Sequence, residues 1–287
     1  MKKYTICKIL LVILAIFLCV AFYELLGICV AYKKQPEVSN TTKKETKNGS
    51  WNECSENTER AVIIEKNPEA LLQRVRLIKN AKKEIILSTF AFQSDESGKL
   101  ILGALHDAAD RGVHVRLLVD GMESWVDMEG NPYFYGLSSH ENVEIKLYNK
   151  ANPLKPWKMM GRMHDKYLIA DGKRYILGGR NTYNYFLGDF PGHKNYDRDV
   201  LVVCDEPEKE NSVNQLLEYF ETIWEQEDSG YFHDNKKLAN RKSVKNAVLE
   251  LQNGYQKYFE ENKERICDTD YTDETFETEK IALVSNP

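Results

Sequence analysis

Between residues 61 and 121, short apolar runs alternate with stretches of helical periodicity, which restricts the chain to a sheet with helices packed on its faces. AVIIEK reads as a strand beginning at Ala61, and Asn67-Pro68 opens a helix in which Leu71, Leu72, Val75 and Ile78 recur at helical spacing. EIILSTFAF (84–92) is a buried strand, SGKLILGALHDAADRG an amphipathic helix closed by Gly112, and VHVRLLVDG (113–121) the next strand. Strands joined by helices of this length form βαβ units. The expected fold class is therefore α/β, a mixed and mostly parallel sheet flanked by helices.

Further along, VEIKLYN (143–149) precedes an irregular segment, ANPLKPWKMMGR (151–162). KYLIA and KRYILGG are apolar runs joined at Asp171-Gly172, a strong hairpin-turn pair. DVLVV (199–203) supplies another buried strand, and residues 208–266 read as largely helical, with Leu216, Leu217, Phe220 and Trp224 on one face. The last residues, IALVSNP (281–287), echo AVIIEKNP (61–68). That echo is expected either of one half of a duplicated protein or of two short apolar runs that happen to precede Asn-Pro.

Ahead of all this lies the run ILLVILAIFLCVAFYELLGICVAY (9–32). As a helix it would be about 36 Å long, enough for a bilayer core of about 30 Å. It is long for the apolar part of a signal peptide, and no small-x-small cleavage site closes it, so an uncleaved single-pass anchor in the cell membrane is expected. Glu24 interrupts the run and calls for neutralisation, a helix partner or a break between two shorter pieces. Lys2, Lys3 and Lys8 precede it and Lys33 and Lys34 follow, so the charge bias leaves its orientation open. The expected organisation is an anchor over residues 1–34, a polar tether over 35–60 and a folded domain over 61–287. The net charge of −5 offers no bulk attraction to nucleic acid. Cys7, Cys19 and Cys29 fall in the apolar run, and Cys54, Cys204 and Cys267 have neither a paired nor a zinc-type spacing.

The chemistry-bearing stretch is RMHDKYLIADGKRYILGGRN (162–181), which sets His164, Lys166 and Asp171 in the spacing H-x-K-x4-D and follows them with Gly178, Gly179 and Asn181. A neutral imidazole can attack phosphorus, and a lysine two residues along a strand points to the same face, where it can neutralise phosphoryl oxygens. Asn181 adds a neutral donor, and the glycines allow close backbone approach. Asp171 also has a purely structural reading, as the first residue of the hairpin turn.

M-H-D-K-Y-L-I-A-D followed by G-G-R-N resembles the HKD signature of the phospholipase D superfamily. DESGKLILGALHDAADRGVHVRLLVDG resembles the segment ahead of the first such motif in bacterial cardiolipin synthase-type members, and RMHDK, GGRN and the D-x-D-V of Asp197 to Val200 resemble the subgroup with R-M-H-x-K. The resemblance covers roughly residues 60–205, with the motif region at 158–185, and looks like an N-terminal half carrying one motif. It implies that His164 is the nucleophile forming a phosphohistidine, or the acid that protonates the leaving oxygen. It implies that Lys166, Asn181, Gly178 and Gly179 bind phosphate, that Asp171 is the motif's acidic member, and that Asp199 orients the histidine. No metal or other cofactor is implied.

The family's site sets two H-x-K motifs face to face, whereas His106, His114, His140, His193 and His233 lack a lysine two residues later. The expected partner is therefore a second motif, from a homodimer mate or a C-terminal half, together with a phospholipid substrate in the membrane. Lys155, Trp157 and Lys158, in the loop before the motif, are expected to contact lipid. The function so implied is a membrane-anchored, cardiolipin synthase-like phosphatidyltransferase. The alternatives are a dimeric phosphodiesterase hydrolysing phospholipid or nucleic acid, the latter disfavoured by the acidic charge, and an inactive half-protein scaffold.

Overall fold

The computed structural model describes residues 2–33, 40, 43–44, 59–158, 160–204, 211–233, 237–279 and 281–283. Most of the expected tether and the Asn-Pro end of the C-terminal echo lie outside them. Ile85, Ile86 and Leu87 alternate across β2 (Glu84–Thr89), so that one face of the strand packs beneath helices and the other beneath a different layer. The first expected βα units follow in order: β1 (Glu59–Ile64), α2 (Asn67–Asn80), β2, α3 (Glu96–Asp110) and β3 (His114–Asp120), with α1 (Lys2–Lys33) ahead of them. Pro68 sits in the first turn of α2, and the Asp95 side chain caps α3 by accepting from Gly98 N–H (3.0 Å).

Two short helices, α4 (Gly121–Asp127) and α5 (Pro132–Ser138), then lead to β4 (Val143–Tyr148). After the irregular loop come β5 (Lys166–Ala170), β6 (Arg174–Gly178) and β7 (Asp199–Cys204), then α6 (Ser212–Trp224), β8 (Ser229–Tyr231), α7 (Lys242–Glu261), α8 (Lys263–Cys267) and β9 (Phe276–Thr278). The strands form one sheet in the order β8-β4-β3-β2-β5-β6-β7-β1-β9. The sheet is mixed and flanked by helices, as expected, but its parallel share is smaller. β2–β3 and β3–β4 are parallel, and every other neighbouring pair is antiparallel. The reason is topological: β5, β6 and β7 are linked by turns and loops without crossover helices, and β1 closes back onto β7.

Residues of α2, α3, α5 and α7 join one core with Leu87, Leu117 and Leu168, while Val213, Leu216, Phe220 and Trp224 of α6 join the other with Ile86, Tyr167 and Val202. The helical region after residue 211 is interrupted by β8, which adds an edge strand to β4. The stretch expected as a strand to residue 92 ends as a strand at Thr89, beyond which the chain bends.

α1 stands apart from this core. It is long and apolar enough to cross a membrane, and its residues are exposed except around Gly27.

Candidate active site

The chain leaves β2 through Phe90, and this turn brings the motif residues together. Thr89 pairs with Lys166 in the antiparallel register of β2 and β5, and Ala91 N–H donates to Asn181 Oδ1 (3.2 Å). Between these two ties the Phe90 ring meets the His164 imidazole edge-on, with centroids 4.6 Å apart. The Lys166 ammonium and the Arg162 guanidinium lie 5.2 Å and 5.0 Å from the centroid of the same ring. His164, Lys166 and Asn181 are thus gathered at the carboxyl ends of β2 and β3, where open α/β sheets bind ligands.

His164 is exposed while Lys166 is buried, its Nζ donating to the His164 carbonyl oxygen (2.6 Å). Partial burial, then the nearby Lys166 charge, pull the imidazole pKa below its ordinary value, with Asp165 acting in the opposite direction. Burial likewise lowers Lys166, and Asp165 and Asp197 partly offset it. A neutral, accessible imidazole beside an ammonium is suited to attack an anionic phosphorus centre.

Asp120, buried at the end of β3, fixes the approach to the motif. Its carboxylate accepts from Arg162 Nε (2.9 and 3.1 Å), Met163 N–H (3.0 Å) and the N–H groups of Met122 (3.0 Å) and Glu123 (3.2 Å). Asp165 accepts from Tyr219 Oη (2.8 Å). The glycines are required by two carboxylates: a side chain at Gly178 would collide with that of Asp199, and one at Gly179 with that of Asp197.

Two residues expected in the site lie elsewhere. Asp171 sits at the opposite end of β5 from Lys166, about 16 Å along the strand. Its carboxylate accepts from the N–H groups of Lys82 (2.8 Å), Lys83 (2.7 Å) and Glu84 (3.0 Å). With φ of 55° at Asp171 and 62° at Gly172, and Lys173 N–H donating to Ala170 C=O (3.0 Å), it shapes the hairpin. Asp199 does not orient His164. It is fully buried and pairs with Arg74 (2.9 Å) and Arg180 (3.3 Å), and Arg180 goes on to donate to the carbonyl oxygens of Ile64 and Glu65. The GGRN arginine therefore locks β1 and α2 to the end of β7, a structural role that two basic residues far apart in sequence do not reveal.

In the preceding loop Pro156–Lys158 forms a 3-10 turn. Lys155 and Trp157 are exposed, and Lys158 is paired with Asp228 (2.6 Å). Phe90, Asp120 and Arg162 border His164 and Lys166, and neither Phe90 nor Asp120 was among the expected site residues. Phe90 and Asp120 end apolar strands, where each passes for a core or turn residue, and Arg162 shows only as part of R-M-H-x-K.

The sequence profile described as "Cardiolipin synthase, PLD-like domain" matches residues 74–224. An uncharacterized protein of Helicobacter pylori is 31% identical over 212 residues, 69% of this chain and 39% of that protein. Cardiolipin synthase C of Escherichia coli is 29% identical over 171 residues, 55% of this chain and 34% of that enzyme. The matched region thus spans well under half the length of these relatives. The solved structure of phosphatidylserine synthase from Haemophilus influenzae has a TM-score of 0.49 and 18% identity, covering 77% of this chain and 48% of that one. The profile match spans more than half of the sequence and contains the HKD motif at His164, Lys166 and Asp171. The chain belongs to the cardiolipin synthase-type PLD-like domain family, within the phospholipase D superfamily of enzymes.

Proposed function

We propose that the chain is a membrane-anchored phosphatidyltransferase that works through a phosphohistidine at His164. The observation that carries this reading is the exposed imidazole, held against Phe90 next to the buried Lys166 ammonium with its pKa pulled down. His164 Nε2 or Nδ1 attacks the phosphorus of a phospholipid, a P–N bond forms, and the P–O bond to the headgroup alcohol breaks. Lys166, Asn181 and the backbone at Gly178 and Gly179 hold the phosphoryl oxygens. The hydroxyl of a second phospholipid then attacks the phosphorus, giving its proton to the group that had protonated the headgroup alcohol, and the P–N bond breaks to free the histidine. Asp197, whose charge acts on Lys166 and whose carboxylate abuts Gly179, keeps the ammonium in place.

The leaving alcohol needs a proton from the far side of the phosphorus, which one imidazole cannot deliver while it attacks. A second H-x-K motif from another copy of the chain or another segment of polypeptide supplies it. In this reading residues 1–34 anchor the protein in the cell membrane, 35–60 tether it, and 61–287 carry the chemistry. Lys155, Trp157 and Lys158 lie at the lipid surface. The cardiolipin synthase relatives and the apolar α1 favour a lipid over a soluble substrate.

The test is to incubate the full chain with phosphatidylglycerol vesicles and separate the lipid products. A four-acyl, two-phosphate product with release of glycerol is expected. Phosphatidic acid alone would make the protein a hydrolase, and no lipid turnover in any oligomeric state would overturn the reading.

A further inference from the structure

The part of α1 from Tyr4 to Tyr23 is by itself about 30 Å long, the thickness of a bilayer hydrocarbon core. From Tyr23 onward the helix touches the domain that carries the motif. Tyr23 Oη donates to the Leu154 carbonyl oxygen (2.8 Å), and Gly27 is buried against Pro156, whose ring a methyl group at Gly27 would strike. Glu24, the polar interruption of the apolar run, thus falls where the helix meets protein.

Beyond the Gly27 contact the two surfaces part and leave a crevice of about 1020 Å³. Val30, Ala31 and Tyr32 form its wall on α1, and Trp157 and Met160 face them from the loop. Lys158, paired with Asp228, and Arg162, two residues before His164, also line it. The volume is at the upper end of the range of roughly 300–1,000 Å³ that holds small ligands.

We infer that this crevice is the entry route for the substrate: an acyl chain of an anionic phospholipid leaves the bilayer along α1 and lies between the helix and the loop, which presents its phosphate to His164. The inference rests on the reading of His164 as a nucleophile acting on phospholipid. Continuity decides the occupant, because one wall of the crevice is the same helix that runs through the membrane. Val30, Ala31, Trp157 and Met160 suit a hydrocarbon, and Lys158 and Arg162 in the same lining suit an anionic headgroup.

The full chain is reconstituted in vesicles of phosphatidylcholine and a phosphatidylglycerol bearing a diazirine at the end of one acyl chain, irradiated, and its labelled peptides mapped by mass spectrometry. Adducts are expected both on the peptide containing Val30 to Tyr32 and on that containing Trp157 and Met160. The loop adducts should be lost in Ala31→Trp, and Met160→Trp should abolish those on Val30 to Tyr32 from the opposite wall. Labelling confined to Tyr4–Tyr23, or unchanged in both variants, overturns the route. Crevice labelling without any phosphohistidine would leave the route standing and remove the transferase reading, whereas phosphohistidine without crevice labelling would do the reverse.

Discussion

The ring of Phe90 stands edge-on to the imidazole of His164, at 64° and 4.6 Å between centroids, and shields one side of the proposed nucleophile from water. This burial and the neighbouring Lys166 charge lower the imidazole pKa. A lowered pKa keeps the neutral, nucleophilic form populated further into acid. The acidic limb of kcat/KM against pH should therefore fall below the ordinary histidine value of about 6.5. In Phe90→Ala the limb should move upward, because water reaches the ring. A limb above the ordinary value in the wild-type protein would contradict the geometry.

Gly179 has no room for a side chain because the Asp197 carboxylate occupies the place of its Cβ. Gly179→Ala must push Asp197 aside, and with it the charge that acts on Lys166. Turnover should fall by on the order of 100-fold, the usual effect of a misplacement near 1 Å. Circular dichroism should report an unchanged fold, and near-wild-type turnover would show that Asp197 is not coupled to the site.

Asp171, although it is the third letter of the motif, should behave as a hinge residue. Asp171→Ala removes a carboxylate that accepts three consecutive backbone N–H groups. Urea denaturation should report a loss of about 1.5–3 kcal/mol, with kcat at low temperature close to wild type. A collapse of kcat in a stably folded variant would restore a catalytic role to it.

Asp199 should be more costly still. Asp199→Ala leaves the Arg74 and Arg180 guanidinium groups buried without their anion, and breaking such an arrangement costs about 3–5 kcal/mol. Replacing Arg74 by Met in the same chain should recover part of the loss, since one uncompensated charge is then gone. If Asp199→Ala instead kept full stability and shifted the pH profile of His164, the residue would be orienting the histidine after all.

The βα units from Ala61 to Gly121 were legible because each helix carries its apolar stripe and each strand its own apolar run. Pairing direction was not, because an apolar run such as DVLVV reads the same whether its neighbour runs with it or against it, and β1 meets β7 across more than 130 residues. β8 and β9, three residues each, are too short to show a period. In the site, His164, Lys166 and Asn181 declare themselves by spacing. Phe90 does not, because an aromatic in an apolar strand looks like core, and only the register of Thr89 with Lys166 brings it to the imidazole. The resemblance gives Asp199 a histidine-orienting role, and its pairing with Arg74, 125 residues away, is not visible in the sequence.

The most direct test of the proposed nucleophile is to trap the intermediate. The full chain is mixed with vesicles containing phospholipid labelled with radioactive phosphorus, quenched in base, where phosphohistidine persists, and digested. The account predicts label on the peptide carrying His164, none in His164→Ala, and its discharge when an acceptor lipid with a free hydroxyl is added. Label that persists in His164→Ala, or lipid turnover by the wild-type protein with no labelled histidine at any time point, would contradict it.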